Sequence, residues 1–516
     1  MRSDICQSYK RIITIIWAPI NKMPGILIGI DVGSTVLKAA AFDSVSGKSL
    51  AEAGNRLKLS VGRDGAREQS PTGLKRALIG VLFELRDKLG RRWRAVEGMG
   101  LAAQGGSTII ADKKTGQSLT PMMIWNDARA RAYLPVVKEK IKSSFWRKYT
   151  LRDDPGHGLA KILWLKDTRP EIMKPDNIYV GAGEFCYFHL TGVWRQDACN
   201  ALQIGCYNAV DQRLDQRLMD LVQMPISFVA PMRKGHEIHP MNSHMAQELG
   251  LSNNIPVAGP YMDHEAGYIS ASGVSRRPLQ CSLGTAWVGN YLLPKTSKWH
   301  SPTQFPIPAI IGKGYLVIQA LFTGNITWDW ALRHLMNEDH NKALTKARLV
   351  FRRRLMPHEG LVALPWLNMG NPLNNRAIGG GTFFGVGPQT DKEELLRALA
   401  LSMACEMARI FAEVKNRKKV DSVVLGGGAS KGEFFRTLLA ALFHPLPVYY
   451  LKEPDLSGTR GALSAFCAKA ATAETKRAPK VSERTMSAIV EGYHEYLNLF
   501  DRLYGDISAG GNITFE

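Results

Sequence analysis

The sequence predicts an α/β protein built from two large domains. A chain of 516 residues is too long for one hydrophobic core, so two domains are expected. Near the start of the chain, apolar runs of strand length alternate with segments of helical periodicity, which is typical of α/β layers. Two short hairpins of one design, Ile26–Asp43 and Leu279–Asn290, lie far apart in the chain. This repeat suggests a duplicated domain whose two copies close on one ligand.

The composition is that of an ordinary globular protein with an excess of basic residues. Hydrophobic residues make up 45%, charged residues make up 22%, and the formal net charge is +20. This charge would suit an anionic ligand, but the basic residues are scattered and accompany no nucleic-acid motif. The seven cysteines are dispersed, without the spacing of a zinc site or disulfide frame, which fits a cytoplasmic location. No segment approaches the roughly 18 apolar residues of a membrane span.

The first hairpin joins two apolar strands, Ile26–Ile30 and Val36–Phe42, through an acidic residue and a small turn. Glycine lets backbone N–H groups approach a phosphate, and hydroxyl and ammonium groups add donors. Because a carboxylate would repel phosphate, we expect Asp31 to hold Mg²⁺, usually through water. The alternative is an ordinary hairpin with local turn chemistry. The predicted phosphate donors are Gly33, Ser34, Thr35 and Lys38.

The segments after the hairpin continue the alternation of strands and helices. We expect Leu50–Leu59 to be a third strand of the same sheet, Ser70 to cap a helix, and Val96–Leu101 to be a strand. Leu159–Asp167 has helical apolar spacing, whereas Cys199–Val210 is predicted as loop and strand. Strands joined by a helix in this order indicate an α/β layer fold.

A polar cluster lies at the end of a predicted apolar strand that begins with Pro121–Ile124. In Trp125-Asn126-Asp127-Ala-Arg129, amide, carboxylate and guanidinium groups stand beside one aromatic ring. A polyhydroxylated ligand needs this mixture, with polar groups for its hydroxyls and a ring for its C–H face. The alternative is a helix start at which Asn126 or Asp127 caps the helix and Arg129 is exposed.

Asp263 is the candidate catalytic base. A strand that begins at Pro256 runs into Gly259-Pro260, and Asp263 then stands at the head of a helix. A carboxylate in this place can reach a cleft and take a proton from a substrate hydroxyl. The alternative is a plain helix cap.

The second half of the chain offers candidate nucleotide contacts. The second hairpin has a Gly-Thr turn, and a later strand is followed by Thr-Gly before a helix. The strand from Val420 ends in three successive glycines before a helix at Glu433, which leaves room for a flat ligand against bare backbone. A turn shaped only by packing seldom needs three glycines in a row. The predicted nucleotide contacts are Gly284, Thr285, Gly324, Gly426, Gly427, Gly428 and Ser430.

Together these motifs resemble the FGGY family of carbohydrate kinases, within the actin-like ATPase superfamily. The resemblance covers roughly residues 25–470. It implies two ribonuclease-H-like domains that flank a deep catalytic cleft. The motifs that carry it, in order, are Asp31-Val-Gly-Ser-Thr, Trp125-Asn-Asp-Ala-Arg, Asp263-x-x-Ala-Gly, Ser282-Leu-Gly-Thr and Gly426-Gly-Gly-Ala-Ser.

The resemblance implies an ATP-dependent kinase that transfers the γ-phosphate of Mg-ATP to a hydroxyl of a sugar or polyol. Asp263 would take the hydroxyl proton, and Mg²⁺ anchored near Asp31 would neutralise phosphate charge. Positioning and closure of the cleft would supply most of the catalysis and exclude water. The expected organisation is a dispensable extension (1–24), a sugar-binding domain (25–272), a nucleotide-binding domain (273–470) and a helical tail (471–516).

Within the family, Trp-Asn-Asp-x-Arg is most similar to xylulokinases, which favours a xylulose-like ketopentose. Where xylulokinases carry Gln-Met-His-Gly, this chain has Gln-Gly-Gly-Ser, which predicts a roomier pocket with different donors. The later signature Gly-Glu-Arg-Thr-Pro is here Gly370-Asn-Pro. These departures leave glycerol, ribulose, erythritol or gluconate open as acceptors. The predicted acceptor contacts are Gln104, Gly105, Gly106, Trp125, Asn126, Asp127, Arg129 and Asp263.

Two other classes of protein have a similar pair of domains around a ligand-binding cleft. A non-catalytic nucleotide sensor would not need a base at Asp263, and a transcriptional regulator would need a DNA-binding helix-turn-helix, for which residues 1–24 are too short. We therefore expect a small-molecule sugar or polyol as partner, with no nucleic acid and no membrane. A homodimer is the candidate assembly, although the sequence leaves the oligomeric state open.

Overall fold

The structure is a computed structural model that describes residues 25–151, 156–252, 254–294, 304–311, 314–321, 323–367 and 380–508. The expected N-terminal extension, the altered signature at Gly370 and the last residues of the expected tail lie outside these ranges.

Strands and helices alternate along the described ranges. The strands are β1 (Ile26–Val32), β2 (Val36–Asp43), β3 (Ser49–Arg56), β4 (Ser60–Val61), β5 (Arg67–Gln69), β6 (Val96–Ala103), β7 (Ile109–Asp112), β8 (Met122–Met123), β9 (Asn177–Val180), β10 (Tyr207–Asn208), β11 (Arg213–Leu214), β12 (Ile238–Pro240), β13 (Pro256–Met262), β14 (Pro278–Leu283), β15 (Trp287–Leu293), β16 (Gln304–Pro308), β17 (Tyr315–Ala320), β18 (Val362–Leu364), β19 (Thr382–Phe384), β20 (Ser422–Gly426), β21 (Val448–Leu451) and β22 (Thr475–Arg477). The helices are α1 (Pro71–Leu89), α2 (Tyr133–Glu139), α3 (Ser143–Thr150), α4 (His157–Thr168), α5 (Ala182–Thr191), α6 (Ala198–Ile204), α7 (Gln216–Asp220), α8 (Ser243–Leu249), α9 (Asp263–Ala271), α10 (Asn325–Met336), α11 (His340–Arg353), α12 (Lys392–Ile410), α13 (Ala412–Asn416), α14 (Glu433–Leu442), α15 (Ser457–Gly461), α16 (Ala468–Ala471) and α17 (Glu483–Ser508).

Two large sheets of the same plan form the centre of the molecule. One sheet has the order β3-β2-β1-β6-β13-β12, and the other has the order β16-β17-β15-β14-β20-β21-β22. In the first sheet β3, β2 and β1 are antiparallel neighbours, β1, β6 and β13 run parallel, and β12 is antiparallel. In the second sheet β17, β15 and β14 are antiparallel, β14, β20 and β21 run parallel, and β22 is antiparallel. This match supports the duplication that the two hairpins suggest.

Helix α1 covers one face of the first sheet. It begins where Ser70 Oγ accepts a hydrogen bond from the Gly73 N–H at 3.0 Å, as predicted from the capping residue. The helix packs on β2 and β3, and each leucine that it buries contributes about 1.5–3 kcal/mol through apolar area removed from water. The buried leucines of α1 are Leu74, Leu78, Leu82, Leu85 and Leu89.

Two helices interlock the halves of the molecule. Helix α9 follows β13 of the first sheet but also packs on β14 and β15 of the second sheet, and α15 follows β21 but packs on β1 and β6. Glycines allow this close approach, because a side chain on Gly29, Gly100 or Gly461 would collide with backbone of the opposing segment. The interlock therefore brings the end of β1 beside α15.

Residues 471–508 pack as part of the C-terminal unit. Strand β22 pairs antiparallel with β21, and α17 packs on α12 and α14. The buried Tyr496 hydroxyl donates to the Glu406 carboxylate at 2.7 Å, and Arg409 lies 2.7 Å from the same carboxylate. The expected helical tail is thus a helix with a short edge strand before it.

Two segments differ from the prediction. Cys199–Val210, predicted as loop and strand, contains the short strand β10 but also most of helix α6. The Asp197 carboxylate caps α6 and accepts a hydrogen bond from the Asn200 N–H at 2.9 Å. The helix ends at Gly205, whose φ of 95° is favourable only for glycine. The apolar stretch before Trp125 forms a strand of only two residues, β8.

Candidate active site

Three predicted site residues meet at one edge of the first sheet. Strands β1, β6 and β13 run parallel, and their last residues are paired in register. Asp31, Gln104 and Asp263 lie at these strand ends. The carboxyl edge of an open α/β sheet is the usual place for ligands.

The Asp31 carboxylate lies between the two halves. Gly458 of α15 packs against it so closely that a side chain on Gly458 would collide with the carboxylate. The Asp31 residue is partly exposed, but its Oδ1 atom is buried and has no hydrogen-bond partner among the described residues. Burial and the nearby Asp263 carboxylate raise the pKa of Asp31 to about 7, and Lys38 opposes this rise.

A single Mg²⁺ ligand is consistent with these properties of Asp31. A cation would meet the unpaired Oδ1 and would reduce the repulsion between Asp31 and Asp263. The described ranges contain no group of three or more His, Cys, Asp or Glu side chains arranged to hold a metal ion. Mg²⁺ commonly takes one or two carboxylates and completes its shell with water and substrate phosphates, so one aspartate here fits the ion.

The turn of the first hairpin gathers the predicted phosphate donors beside Asp31. The Gly33 N–H donates to the Val36 carbonyl at 3.2 Å, which closes the turn. Gln69 Nε2 donates to the Ser34 carbonyl at 2.7 Å and holds the turn from outside. Thr35 remains exposed at its tip.

A shared aspartate connects the first hairpin with the glycine turn of the second half. Lys38 Nζ donates to the Asp455 carbonyl at 3.3 Å and lies 3.9 Å from the Asp455 carboxylate. Lys431, which follows the glycine turn, pairs with the same carboxylate. Both lysine side chains keep exposed surface, so two ammonium groups can serve a further anion at this point.

Asp263 opens helix α9 without capping it. Met262 is the N-cap residue, and Asp263 Oδ1 accepts from the His264 N–H at 2.8 Å. Behind Asp263, the buried side chains of Glu265 and Arg233 form an ion pair at 3.1 Å. Asp263 itself is partly exposed. It is therefore an anchored carboxylate that can accept a proton from a hydroxyl group brought to this edge.

Buried amide atoms without partners mark the loops beside Asp263. Gln104 is 6% exposed, and neither its Oε1 nor its Nε2 has a hydrogen-bond partner in the described part of the chain. The same is true of the buried Oδ1 of Asn126. Each unsatisfied buried polar group costs about 1–3 kcal/mol, so a ligand or water molecule that hydrogen-bonds these atoms would remove that cost. Trp125 is 39% exposed and can offer its ring to that ligand.

Asp127 and Arg129 are paired with each other. The Arg129 guanidinium donates to both oxygens of Asp127, at 3.1 and 2.7 Å, and the Arg67 N–H donates to Asp127 at 2.9 Å. Burial acts to raise the pKa of Asp127, but these hydrogen bonds outweigh burial and hold it below its usual value. Arg129 also pairs with Glu68 at 2.5 Å and lies over the Trp164 ring at 4.8 Å. The alternative, in which Arg129 is exposed at the start of a helix, is wrong because the Arg129 side chain is only 15% exposed.

Lys161 lies beneath the same loops and is missing from the predicted site. Its buried Nζ donates to the Gly106 carbonyl at 3.1 Å, Thr108 Oγ1 at 3.2 Å and the Ile124 carbonyl at 3.3 Å. Burial lowers the pKa of Lys161 to about 8, although Asp127 opposes this effect. Its sequence signal is a lysine on the buried face of an apolar helix.

Helix α6 brings two further polar side chains that the prediction of a loop missed. Asn200 Oδ1 accepts from the Gly106 N–H at 3.1 Å, and Asn200 Nδ2 donates to Glu184 at 3.0 Å. Gln203 lies against Gly105 and Gly106. A side chain on Gly105 would come within 2.8 Å of Gln203 Nε2, and one on Gly106 would collide with Gln203 Oε1. The space beside these glycines is therefore occupied by the Gln203 amide.

The turn of the second hairpin packs on the start of α10. The Gly284 carbonyl accepts from the Asn325 N–H at 3.0 Å, and Asn325 Nδ2 donates to the Leu283 carbonyl at 3.3 Å. A side chain on Gly324 would come within 2.7 Å of the Thr285 carbonyl. The Gly-Thr turn thus lies at the N-terminus of α10, and its own carbonyl groups accept from the first N–H groups of that helix.

The glycine turn after β20 lies against the second hairpin. Gly427 has a φ of 79°, and a side chain there would come within 2.6 Å of the Leu283 backbone. Ser430 Oγ donates to the Gly427 carbonyl at 2.7 Å. Gly426 at the end of β20 is buried, and Gly427 and Gly428 after it leave bare backbone at the surface. The predicted nucleotide contacts of the second half are therefore neighbours in space.

Two family profiles match almost the whole of the described fold. The profile of the FGGY family of carbohydrate kinases, N-terminal domain, matches residues 26–270, and that of the C-terminal domain matches residues 280–470. The chain belongs to the FGGY family of carbohydrate kinases. This FGGY kinase is thus a phosphotransferase with an alcohol group as acceptor, and members of its family use ATP. The predicted family is confirmed.

This FGGY kinase is similar to curated kinases over most of its length. A glycerol kinase from Staphylococcus haemolyticus is 21% identical over 90% of this chain and 96% of its own. A xylulose kinase from Bacillus subtilis is 23% identical over 85% of this chain and 88% of its own. The structure of xylulose kinase from Rhodospirillum rubrum matches with a TM-score of 0.80 and 20% identity, over 93% of this chain and 99% of that chain. The structural match confirms the predicted two-domain α/β fold.

These relatives carry the names of kinases with different acceptors, glycerol and xylulose. In the described ranges, no helix has the length and apolar character needed to cross a membrane.

Proposed function

We propose that this kinase transfers the γ-phosphate of Mg-ATP to a hydroxyl group of a sugar or polyol, with Asp263 as the general base. The position of Asp263 carries this proposal. It opens α9 at the same sheet edge as the unpartnered Gln104 amide and the Asp31 carboxylate. A base for phosphoryl transfer must reach the acceptor hydroxyl on one side and face the phosphate site on the other.

The two sides of Asp263 have separate roles in this proposal. The acceptor lies on the side of Gln104 and Trp125, within domain 25–272, and the nucleotide lies on the side of the two hairpins and the glycine turn, largely within domain 273–470. Asp31 would hold Mg²⁺, which neutralises phosphate charge when bound. The chain itself binds and orients both substrates and excludes water. The proposed nucleotide contacts are Gly33, Ser34, Thr35, Lys38, Gly284, Thr285, Gly324, Gly426, Gly427, Gly428 and Ser430.

For the acceptor we propose a xylulose-like ketopentose. The similarity of Trp125-Asn126-Asp127-Ala-Arg129 to xylulokinases supports it, and the unpartnered amide atoms of Gln104 and Asn126 suit neighbouring hydroxyl groups. The runners-up are other polyols or a sugar acid, namely glycerol, ribulose, erythritol or gluconate. We also propose a cytoplasmic location, which the dispersed cysteines support.

The test is a coupled assay of ADP release with Mg-ATP and a panel of D-xylulose, D-ribulose, glycerol, erythritol and gluconate. Replacement of the base in Asp263→Ala and Asp263→Asn should lower kcat for the preferred acceptor by about 10²–10⁴-fold, with an unchanged KM for ATP. The matched control Asp87→Ala removes a carboxylate from the surface of α1, where it is 74% exposed, and should leave the rate unchanged.

The outcome separates a kinase from its main rival. Acceptor-dependent ADP release that is lost in the Asp263 variants and kept in Asp87→Ala supports the proposal and identifies the acceptor class. Turnover that ignores every acceptor, or ATP binding without any turnover, contradicts it. Those results would favour a non-catalytic protein that binds a nucleotide between its two domains.

A further inference from the structure

The acceptor side holds an amide group to which the proposed function gives no role. Gln203 lies on α6, one turn after Cys199, and its Nε2 donates to Cys199 Sγ at 3.5 Å. A thiol sulfur is a weak hydrogen-bond acceptor. Gln203 is partly exposed, so its amide retains hydrogen-bonding capacity for a ligand.

The bare backbone at Gly105 and Gly106 allows this amide to reach the site. A side chain on Gly105 would lie 2.8 Å from both Gln203 Nε2 and Met262 Sδ, so Gln203 faces Met262 across a single glycine. Met262 directly precedes Asp263. Gly106 has a φ of 72° and lies between Gln203 and Trp125. The Gln203 amide therefore lies near Met262, the residue before the proposed base, and near the exposed tryptophan.

The helix that carries Gln203 is held firmly in place. The Asp197 carboxylate caps its start. A side chain on Gly158 would come within 2.5 Å of the Ile204 Cα, and one on Gly156 would collide with the Gln203 carbonyl. Such close backbone packing fixes the position of α6 against α4 and the segment before it. A polar group on a packed helix is positioned more accurately than one on a loop.

We propose that Gln203 is a specificity-determining residue that hydrogen-bonds the acceptor and so selects which sugar or polyol is phosphorylated. This inference rests on the proposed function. An amide offers one carbonyl acceptor and two N–H donors, which suits a pair of neighbouring hydroxyl groups. Here that amide comes from α6, whereas the local residues Gly105 and Gly106 have no side chains to offer.

The test compares wild type with Gln203→Met, which keeps the length of the side chain but removes its polar atoms. For the preferred acceptor of the panel, the variant should raise KM about tenfold with kcat within about twofold, because one or two hydrogen bonds to the acceptor are lost. Gln247→Met, on the exposed face of α8, is the matched control and should change neither parameter. Urea unfolding midpoints of the three proteins report on folding.

Deoxy analogues make the test specific. Each analogue, such as 1-deoxy-D-xylulose or another monodeoxy sugar, lacks one hydroxyl group of D-xylulose. Wild type should prefer D-xylulose to the analogue that lacks the hydroxyl bound by Gln203. Gln203→Met should lose most of that preference, because the side chain that binds this hydroxyl has no polar atoms in the variant. An equal loss for every acceptor and analogue, or an unchanged KM, would overturn the inference.

Calorimetric titration of each acceptor without ATP separates this inference from the proposed function. Binding that depends on Gln203 in a protein that releases no ADP would uphold the hydrogen bond from Gln203 to the acceptor and refute the kinase proposal. ADP release with acceptor binding that is indifferent to Gln203 would do the reverse. If wild type binds none of the panel, the inference is also overturned.

Discussion

Replacement of Lys161 by methionine should loosen the acceptor side of the site. In the wild type, the Lys161 ammonium joins the Gly106 carbonyl to the Ile124 carbonyl, at 3.1 and 3.3 Å, and thereby ties two loops together. Methionine has a similar length but no donor. We expect KM for the acceptor to rise about tenfold, as for the loss of hydrogen bonds to a charged group, with an unchanged KM for ATP.

The same variant should also change how stability depends on pH. The pKa of Lys161 is lowered to about 8, from an ordinary 10.5, so burying the charge costs about 3 kcal/mol at pH 7, at roughly 1.36 kcal/mol per pKa unit. Between pH 8 and 10.5 the unfolded chain still holds a proton that the folded protein has released. Stability from this residue therefore rises with pH, by about 1.3 kcal/mol between pH 7 and 9.

Urea unfolding of wild type and Lys161→Met at pH 7 and pH 9 measures this effect. Other titrating groups cancel in the difference between the two proteins, so the free energy of unfolding of wild type minus that of the variant should increase by about 1.3 kcal/mol from pH 7 to 9. The control Lys88→Met removes a lysine that is 47% exposed and should show no such change. A difference that stays constant or falls with pH would refute a buried ammonium at Lys161.

Two further variants test the phosphate side. Asp31→Asn should abolish phosphoryl transfer, which an assay of ADP release measures. The same variant should raise the free energy of unfolding at pH 8 by up to about 4 kcal/mol, because a carboxyl whose pKa is raised to about 7 destabilises the fold once it ionises. Urea unfolding measures this second effect, and lower stability of the variant would contradict this reasoning. Gly427→Ala combines a φ of 79° with a close approach to Leu283, so it should lower stability by about 1 kcal/mol or more and raise KM for ATP. Gly360→Ala has a similar φ of 77° but open space around it, and an equal rise in KM there would refute a specific role of the glycine turn.

Local signals in the sequence were sufficient for the framework of the fold. The apolar run of β1, the small turn after Asp31 and the capping Ser70 each act within a few residues, and the structure contains the hairpin and the helix that they predict. The cap at Asp197 and the glycine at Gly205 are signals of the same kind, and together they could have identified α6.

Contacts between distant segments could not be predicted from one sequence. The Asp31 carboxylate is perturbed because Gly458 and Asp263 approach it from elements far along the chain. Lys38 is linked to the glycine turn through Asp455. These contacts arise from the interlock of α9 and α15, which is a property of the assembled fold and leaves no periodic pattern in the sequence.

The proposed acceptor site shows why a motif comparison alone is insufficient here. Gly105 and Gly106 have no side chains, and the sequence therefore predicts a roomier pocket with different donors at this point. In a packed protein, however, a backbone without side chains admits a side chain from elsewhere, and Gln203 fills that volume. The donors and acceptors of the pocket therefore depend on α6 as much as on the loop at 104–107. Acceptor preference should follow Gln203, and it cannot be inferred from the altered loop motif alone.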